Sequence, residues 1–207
     1  MSFVGGVGYS NIDLIYSGLD RLPDKGEEIF ARGFSMQFGG GIPATMINLS
    51  RLGVESRIIT FAGHDLFSEF VKKTLNSYPV KTVNLYKGNK MPVVLSSTLL
   101  YCGDRSFISY TDGMDLNDAV MDEVYENLKG AYVVDMHVGF LDVYKRLKKD
   151  GCIQIFDTGW EDDLTLEKYR DYLEIADYYI PNQKEAMKIT GTSSVEAAAD
   201  VLSEFFF

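Results

Sequence analysis

Three consecutive glycines, Gly39–Gly41, stand just before a stretch with a helical pattern, PATMINLSRLG at residues 43–53. A glycine run at the start of a helix lets another group approach the main chain closely. A nucleotide phosphate loop is excluded, because it needs a Lys after its last glycine and GGGIPAT has no Lys or Arg nearby. An earlier run, GGVGYSN, lacks the third glycine of a dinucleotide fingerprint and is followed by an extended pattern.

Two interpretations of the glycine run remain. In the first, a neutral ligand rich in hydroxyl groups lies against the backbone N–H groups of Gly39–Gly41 and the free N–H groups of the helix N-terminus. Pro43 suits the first helical turn, where its missing N–H has no consequence. In the second, the glycines make a tight strand-to-helix turn that binds nothing.

A second candidate site combines Asn182 with Glu185, just before the helical pattern QKEAMKITG. An Asn followed three residues later by Glu is a capping-box pattern, which stabilises a helix without any ligand. From the residues alone, the pair is therefore interpreted as a helix cap.

Further polar residues follow buried-strand patterns. His137 comes after AYVVDM, and Asp157 comes after CIQIF. Ligands bind beyond the carboxyl ends of strands in open parallel sheets, which makes both residues candidate ligand contacts. A histidine satisfied within the core or at the surface is the other interpretation. Trp160 is interpreted as a packing residue of the following loop.

These residues would be positioned by alternating strands and helices. Short apolar runs predict strands at 2–7, 56–63, 131–138, 152–159 and 177–181, and longer periodic patterns predict helices at 43–53, 65–78, 140–151, 165–176 and 183–191. This alternation predicts an α/β fold with a mainly parallel sheet covered by helices on both faces. Residues 14–38 and 91–112 lack a helical period and predict a small separate sheet, with a hairpin turn at Cys102–Arg105.

Composition limits the classes of partner. The chain has 207 residues and a formal net charge of −10, from 20 basic and 30 acidic residues, so neither nucleic acid nor an acidic membrane is an expected partner. Two cysteines are too few for a disulfide framework and are interpreted as free thiols. The sequence has no targeting pattern and no apolar stretch of membrane-spanning length, which predicts a cytoplasmic protein.

Taken together, these segments resemble the PfkB (ribokinase-like) family of carbohydrate and nucleoside kinases. VGGVGYSNID resembles the first strand and its substrate-facing N-x-D, and LPDKGEEIFARGFSMQFGGGIPATMINLSRLG resembles a lid strand followed by the family's first signature. FAGHDLFSEF resembles its G-x-D-x-F segment, and IADYYIPNQKEAMKITG resembles its N-x-x-E segment. The resemblance runs from residue 2 to about residue 200 and implies one Rossmann-like α/β/α domain over 1–207 with a β-sheet lid.

What the resemblance implies for the site is specific. Such kinases transfer the γ-phosphoryl group of ATP to a substrate hydroxyl in the presence of Mg²⁺. The residues implied in binding the sugar or nucleoside are Asn11, Asp13, Gly39, Gly40, Gly41, Thr45 and His137. Asn182 and Glu185 would order water around Mg²⁺ near the phosphates, with no side chain ligating the metal directly. Lid sheets in this family often pair between subunits, which implies a homodimer.

The sequence departs from the family pattern at two places. The helix start usually carries a substrate-contacting Asn, but the matching positions here are Ala44 or Thr45, so the sugar is not identified. The G-A-G-D motif, whose Asp is the general base, does not occur in the 207 residues, and the expected base lies beyond Phe207. The periodic segment 193–207, ending in three Phe, is read as the end of a truncated chain.

The 207 residues are therefore expected to be inactive as a kinase on their own. The alternative hypothesis is a non-catalytic sugar-binding or interaction module derived from such a kinase.

Overall fold

A computed structural model of the protein describes residues 2–206. The strands are β1 Phe3–Val7, β2 Asn11–Leu19, β3 Gly33–Gly39, β4 Ser56–Thr60, β5 Lys81–Asn84, β6 Val94–Tyr101, β7 Asp104–Tyr110, β8 Ala131–Met136, β9 Ile153–Phe156 and β10 Tyr178–Tyr179. The helices are α1 Gly41–Arg51, α2 Leu66–Asn76, α3 Asp118–Leu128, α4 Leu141–Lys149, α5 Leu166–Ile175, α6 Gln183–Thr190 and α7 Val195–Leu202, followed by a 3-10 turn at Ser203–Phe205.

The strands form two sheets. A six-stranded sheet has the order β10-β9-β8-β1-β4-β5, with parallel pairing between β1 and β8, between β8 and β9, and between β9 and β10. A four-stranded sheet has the order β3-β2-β6-β7. The predicted α/β fold, with a mainly parallel sheet and a small separate sheet, is thus confirmed.

The described residues fall into two compact units. The first unit comprises residues up to Val7, Val54–Arg57 and Leu116 onward; the second comprises Gly8–Gly53 and Ile58–Asp115. The sequence-based prediction of a single domain over 1–207 stays a prediction. No helix within residues 2–206 has the length and apolar character needed to cross a membrane.

Buried aromatic and aliphatic side chains hold the first unit together. Gly5 of β1 leaves room for Leu128 of α3, because a Cβ at residue 5 would lie 2.6 Å from the Leu128 Cδ2 atom. Phe156 of β9 stacks on Tyr172 of α5 and on Tyr179 of β10, with ring centroids 5.2 Å and 5.6 Å apart. These contacts hold the carboxyl ends of β9 and β10 in place. Asp157 directly follows β9, and Asn182 follows β10 after two residues.

The four-stranded sheet makes up much of the second unit. β2 pairs with β3 in antiparallel and with β6 in parallel orientation, and β6 and β7 form a hairpin. The hairpin turns at Cys102 and Gly103, whose φ angles of 49° and 78° are those of a two-residue turn suited to the twist of the strands. The predicted hairpin is therefore confirmed.

Alternation along these strands gives the sheet two different faces. One face, here called the polar face, carries the side chains of Asn11, Asp13, Ile15, Ser17, Ser35, Gln37, Val94, Ser96, Thr98, Leu100, Arg105, Phe107 and Ser109. The other, here called the apolar face, carries Ile12, Leu14, Tyr16, Phe34, Met36, Phe38, Leu95, Ser97, Leu99, Tyr101, Asp104, Ser106, Ile108 and Tyr110. Ile12 is fully buried, whereas Phe34, Met36, Ile108 and Tyr110 are exposed.

The structure departs from the predicted elements in several places. β2 begins at Asn11, and Gly39 belongs to β3, because the backbone of the glycine run continues the pairing with β2. α1 begins at Gly41, two residues before the predicted start, and ends before Gly53, whose φ is +82°. Strand β5 and helix α3 are additional elements, while β10 is only two residues long.

The predicted terminal helix forms as α7, with Ala198 fully buried. Phe205 and Phe206 are half-buried rather than exposed, and the Phe206 ring stacks on Tyr179 at 6.3 Å. The third phenylalanine of the predicted aromatic terminus, Phe207, lies outside the described residues.

Candidate functional site

Asn11, Asp13 and Gly39 meet in the second unit through the pairing of β2 with β3. Asn11 lies opposite Gly39, and Asp13 lies two residues further along the same face. A Cβ on Gly39 would lie 2.6 Å from Asp13 Oδ2 and 3.7 Å from Asn11 Cβ. The carboxylate of Asp13 thus lies against the main chain at Gly39, in space that only a glycine leaves free.

The next two glycines shape the start of α1 differently. Gly40 is the N-cap residue with φ +104° and ψ +136°, and a Cβ there would lie 2.8 Å from the Tyr9 carbonyl oxygen. Gly41 is the first helical residue, and a Cβ there would meet no atom within 4 Å. The space beside Gly41 is therefore open.

The N-terminus of α1 has few partners of its own. It has no side-chain cap and no acidic residue in its first turn, and Pro43 has no N–H to satisfy. Thr45 Oγ1 donates to the Gly41 carbonyl oxygen at 3.0 Å, so this hydroxyl retains only its ability to accept a hydrogen bond. Free N–H groups at a helix start are suited to bind oxygen atoms.

The charge of Asp13 is disfavoured by its surroundings. Burial raises the pKa of this carboxyl group, and the positive charge of Arg105 opposes that rise. Asp13 is half-buried and lies within strand β2. Carboxylates held in such environments occur preferentially at functional sites, because folding alone does not favour them.

In the first unit, His137 and Asp157 line one cavity of about 220 Å³, together with Thr158, Trp160 and other residues of the β9–α5 loop. The backbone N–H of His137 donates to the buried Tyr144 hydroxyl oxygen at 2.8 Å, and its Nδ1 lies 2.8 Å from the Val138 carbonyl oxygen. Burial lowers the pKa of His137, which favours the neutral imidazole. Trp160 is exposed, with Lys188 Nζ 4.6 Å from its ring centroid.

Asn182 and Glu185 form the predicted capping box. Asn182 Oδ1 accepts from the Glu185 N–H at 3.0 Å, and Glu185 Oε2 accepts from the Asn182 N–H at 2.9 Å. Glu185 is buried, and its negative charge adds to the effect of desolvation in raising the pKa of Asp157. The structure therefore places two carboxyl groups, Asp157 and Glu185, close enough to repel each other.

Asp157 and Glu185 offer carboxylate oxygens, the kind of ligand atom that Mg²⁺ prefers. Within residues 2–206, no group of three or more His, Cys, Asp or Glu side chains is arranged to hold a metal ion. Mg²⁺ usually keeps several of its waters and uses one or two carboxylates. A cation near Asp157 and Glu185 would also relieve the repulsion between their charges.

Sequence reasoning missed two features of the site. It did not place Arg105 on the face that carries Asp13, because that placement depends on strand pairing across the whole second unit. It also did not pair Asp157 with Glu185. The only sequence signal for that pair was that both residues follow predicted strands in the same sheet.

Comparison with known proteins identifies the family. The model for pfkB family carbohydrate kinases matches residues 1–206, and the chain belongs to this family. A provisionally named sugar kinase of Pyrococcus horikoshii is 35% identical over 92 residues, which make up 42% of this chain and 30% of that protein. The matched segment thus spans less than a third of that relative.

Solved ribokinases have the same fold. The Arabidopsis thaliana enzyme, determined in complex with ribose and ATP, is 22% identical with a TM-score of 0.75, covering 100% of this chain and 70% of that one. Giardia lamblia ribokinase is 18% identical with a TM-score of 0.81, covering 99% of this chain and 66% of that one. At these identities the similarity concerns the fold alone.

The three glycines are expected to respond differently to substitution by Ala. Gly39→Ala should displace the Asp13 carboxylate, changing its carboxyl ¹³C shift and titration, with little loss of stability because a short side chain can move. Gly41→Ala, beside open space, is the matched control and should leave Asp13 unchanged. Gly40→Ala should destabilise the protein by about 1–3 kcal/mol, because of its positive φ and the nearby carbonyl. An unaltered Asp13 resonance in Gly39→Ala would contradict the described contact.

Removal of the Glu185 charge is expected to lower the pKa of Asp157 toward 3.8. Glu185→Gln tests this, because Gln keeps the capping hydrogen bond while removing the charge. Folding raises the pKa of Asp157, so the folded state favours the protonated carboxyl group. The free energy of unfolding should therefore decrease as pH rises from about 3.8 through the pKa of Asp157 in the folded protein. NMR titration of the carboxyl groups measures the pKa of Asp157. Glu196→Gln, at an exposed residue of α7, is the control and should leave this pKa unchanged. An Asp157 pKa that is the same in Glu185→Gln as in the native chain would refute the interaction between the two carboxyl groups.

Proposed function

We propose that this chain carries the substrate-binding part of a kinase that transfers the γ-phosphoryl group of ATP to a hydroxyl of a sugar or sugar-like molecule. The observation that carries the proposal is the Asp13 carboxylate against Gly39, beside the open N-terminus of α1. A carboxylate accepts hydrogen bonds from two substrate hydroxyls, and the helix N–H groups donate to substrate oxygens. Membership of the pfkB carbohydrate kinase family supports this function.

The proposed roles follow the chemistry of each group. Asn11 and Asp13 bind substrate hydroxyls, while Gly39, Gly40 and Gly41 allow the sugar to lie against the main chain. Thr45 accepts one further hydrogen bond, and His137, whose pKa is lowered by burial, contributes a polar contact. The Arabidopsis ribokinase complex with ribose and ATP supports ATP as the phosphoryl donor.

Asn182 and Glu185 are proposed to order the water shell of Mg²⁺, with Asp157 adding negative charge nearby. Magnesium supplies charge neutralisation on the nucleotide phosphates. The capping box holds the Glu185 side chain in place, since one carboxylate oxygen is fixed by the Asn182 N–H. The structural and the functional roles of the two residues therefore reinforce each other.

The 207 residues are proposed to bind substrate without turning it over. They contain no G-A-G-D motif, and general-base and anion-hole groups supply much of the rate of phosphoryl transfer. The non-catalytic binding module remains the alternative function. A cytoplasmic location stays a prediction.

Binding and turnover of the 207-residue chain test the proposal. Calorimetric titration with ribose, fructose, glucose and adenosine should find a ligand whose affinity falls about 10- to 100-fold in Asp13→Asn, because a hydrogen bond to a charged group is lost. Asp104→Asn, an exposed carboxylate of the same sheet, is the matched control. A coupled assay of ADP release should find no turnover.

Each outcome separates the hypotheses. Substantial ADP release would refute the proposed inactivity of the chain while supporting the kinase chemistry. Sugar binding that does not depend on ATP would favour the binding module. Binding that is unaffected by Asp13→Asn, or no binding to any probe, would refute the proposed substrate site.

We further propose a homodimer formed through the apolar face of the four-stranded sheet. Phe34 and Met36 are exposed on edge strand β3, and Ile108 and Tyr110 are exposed on edge strand β7, so both edges of this face present apolar side chains of the kind that mark an interaction surface. A second copy presents the same face, so that a two-fold axis would bury both at once.

Sedimentation velocity at micromolar concentration tests the dimer. The native chain should sediment as a dimer, and Ile108→Glu should convert it to a monomer, because the charge would be buried without a partner. Leu52→Glu places the same charge at an exposed apolar residue outside the sheet and should leave the dimer intact. A native monomer, or a dimer that persists in Ile108→Glu, would contradict the proposal.

A further inference from the structure

The polar face of the four-stranded sheet carries two charged side chains, Asp13 and Arg105. Asp13 lies in the row formed with Ser96 and Ser109, and Arg105 lies two rows further out, opposite Leu100. Since side chains of cross-strand partners share a face, the register alone places both charges on the same side of the sheet.

The Arg105 guanidinium is directed back along this face. Its Cζ atom lies 5.6 Å from the centroid of the Phe107 ring, and Phe107 belongs to the row between Arg105 and Asp13. Burial raises the pKa of the Asp13 carboxyl group, and the positive charge of Arg105 opposes that rise. Within the described part of the chain, Arg105 has no ion pair, although the chain carries an excess of acidic residues.

The row between the two charges also contains an unsatisfied hydroxyl group. Thr98, the cross-strand partner of Phe107, is almost completely buried, and its Oγ1 has no hydrogen-bond partner among residues 2–206. This oxygen atom is itself shielded from the surface, so it offers no contact to a ligand lying on the sheet. The exposed Phe107 ring and the Arg105 guanidinium near it thus follow one another outward from Asp13.

The spacing suits one sugar-sized molecule. Residues 13 and 105 are four residues apart along the strand direction and two strands apart across the sheet. At about 3.4 Å per residue and about 4.8 Å between strands, their Cα atoms are about 16 Å apart. The distance between the two charged groups is smaller, because both side chains extend over the same face. A ligand spanning this distance would offer hydroxyls to the carboxylate at one end and negative charge to the guanidinium at the other.

We propose that Arg105 binds an anionic substituent of the substrate, so that the phosphoryl acceptor is a sugar phosphate or a sugar acid rather than a neutral sugar. This inference rests on the proposed sugar-kinase site and deepens it by naming the substrate class. Arg105 determines specificity: guanidinium groups bind phosphate and carboxylate oxygens through paired hydrogen bonds. The glycine run receives the neutral, hydroxyl-bearing part of the same molecule.

Calorimetric titration of the 207-residue chain with matched probes tests the inference. The probes are ribose with ribose 5-phosphate, fructose with fructose 1-phosphate and fructose 6-phosphate, and glucose with glucose 6-phosphate and gluconate. At least one acidic probe should bind about 10-fold or more tightly than its neutral parent. Comparison of the phosphates with gluconate distinguishes a phosphate from a carboxylate as the recognised group.

Arg105→Gln should weaken binding of the preferred acidic probe by about 10- to 100-fold and leave its neutral parent within about 2-fold. Arg105 is exposed, so the variant is expected to fold. Arg51→Gln, at the exposed last residue of α1, makes the same change in net charge and should leave the preference unchanged.

The outcomes separate this inference from the proposed function. If neutral sugars bind through Asp13 as tightly as every acidic probe, the specificity inference is wrong and the sugar-binding site stands. If the acidic preference survives Arg105→Gln, another group recognises the anion, and the inference is equally wrong. If no probe binds, both the inference and the proposed site are refuted.

Discussion

The close approach of the Asp13 carboxylate to the main chain at Gly39 is the constraint on which the proposed site depends. It requires a residue without a side chain at position 39 and a β2–β3 register that brings Asp13 to that residue. The same register places Asn11 opposite Gly39 and leaves Gly40 to turn the chain into α1. One sterically demanding contact thereby aligns a carboxylate, the turn at Gly40 and a helix N-terminus.

Two charged groups occupy environments that disfavour their ionised forms, which folding alone does not explain. Burial raises the pKa of Asp13, and burial together with Glu185 raises that of Asp157. The capping box accounts for Asn182 and Glu185 as helix-stabilising residues, but it does not account for Asp157 beside them. A cation near Asp157 and a hydroxyl-bearing ligand near Asp13 would each compensate one of these unfavourable charges, as the proposed function requires.

Local sequence patterns predicted much of the fold. The alternation of apolar runs and helical periods indicated the parallel sheet, and Cys102–Arg105 indicated the hairpin, because both signals lie within short stretches. The boundaries of the glycine run were less predictable, since Gly39 is held in β3 by pairing rather than by its own preference. Helix α3 has an amphipathic pattern and an Asn117 cap, and this local signal was present but was not used.

The long-range parts of the site were beyond local patterns. Arg105 lies on the face of Asp13 only because β2 pairs in parallel with β6, more than 80 residues along the chain, and β6 pairs in turn with β7. A slip of one residue in either pairing would move Arg105 and Phe107 to the opposite face. No residue near Arg105 in the sequence carries that information, which is why its relation to Asp13 follows from the structure alone.

The same alternation separates two demands on one sheet. Asn11, Asp13 and Arg105 lie on the polar face, and large apolar side chains such as Phe34 and Ile108 lie on the other. Because successive residues point to opposite faces, a change in self-association at Ile108 need not alter the charges that neighbouring Phe107 and Arg105 help to arrange. Recognition of a ligand and recognition of a second copy can therefore be specified independently along the same strand, provided that the register holds.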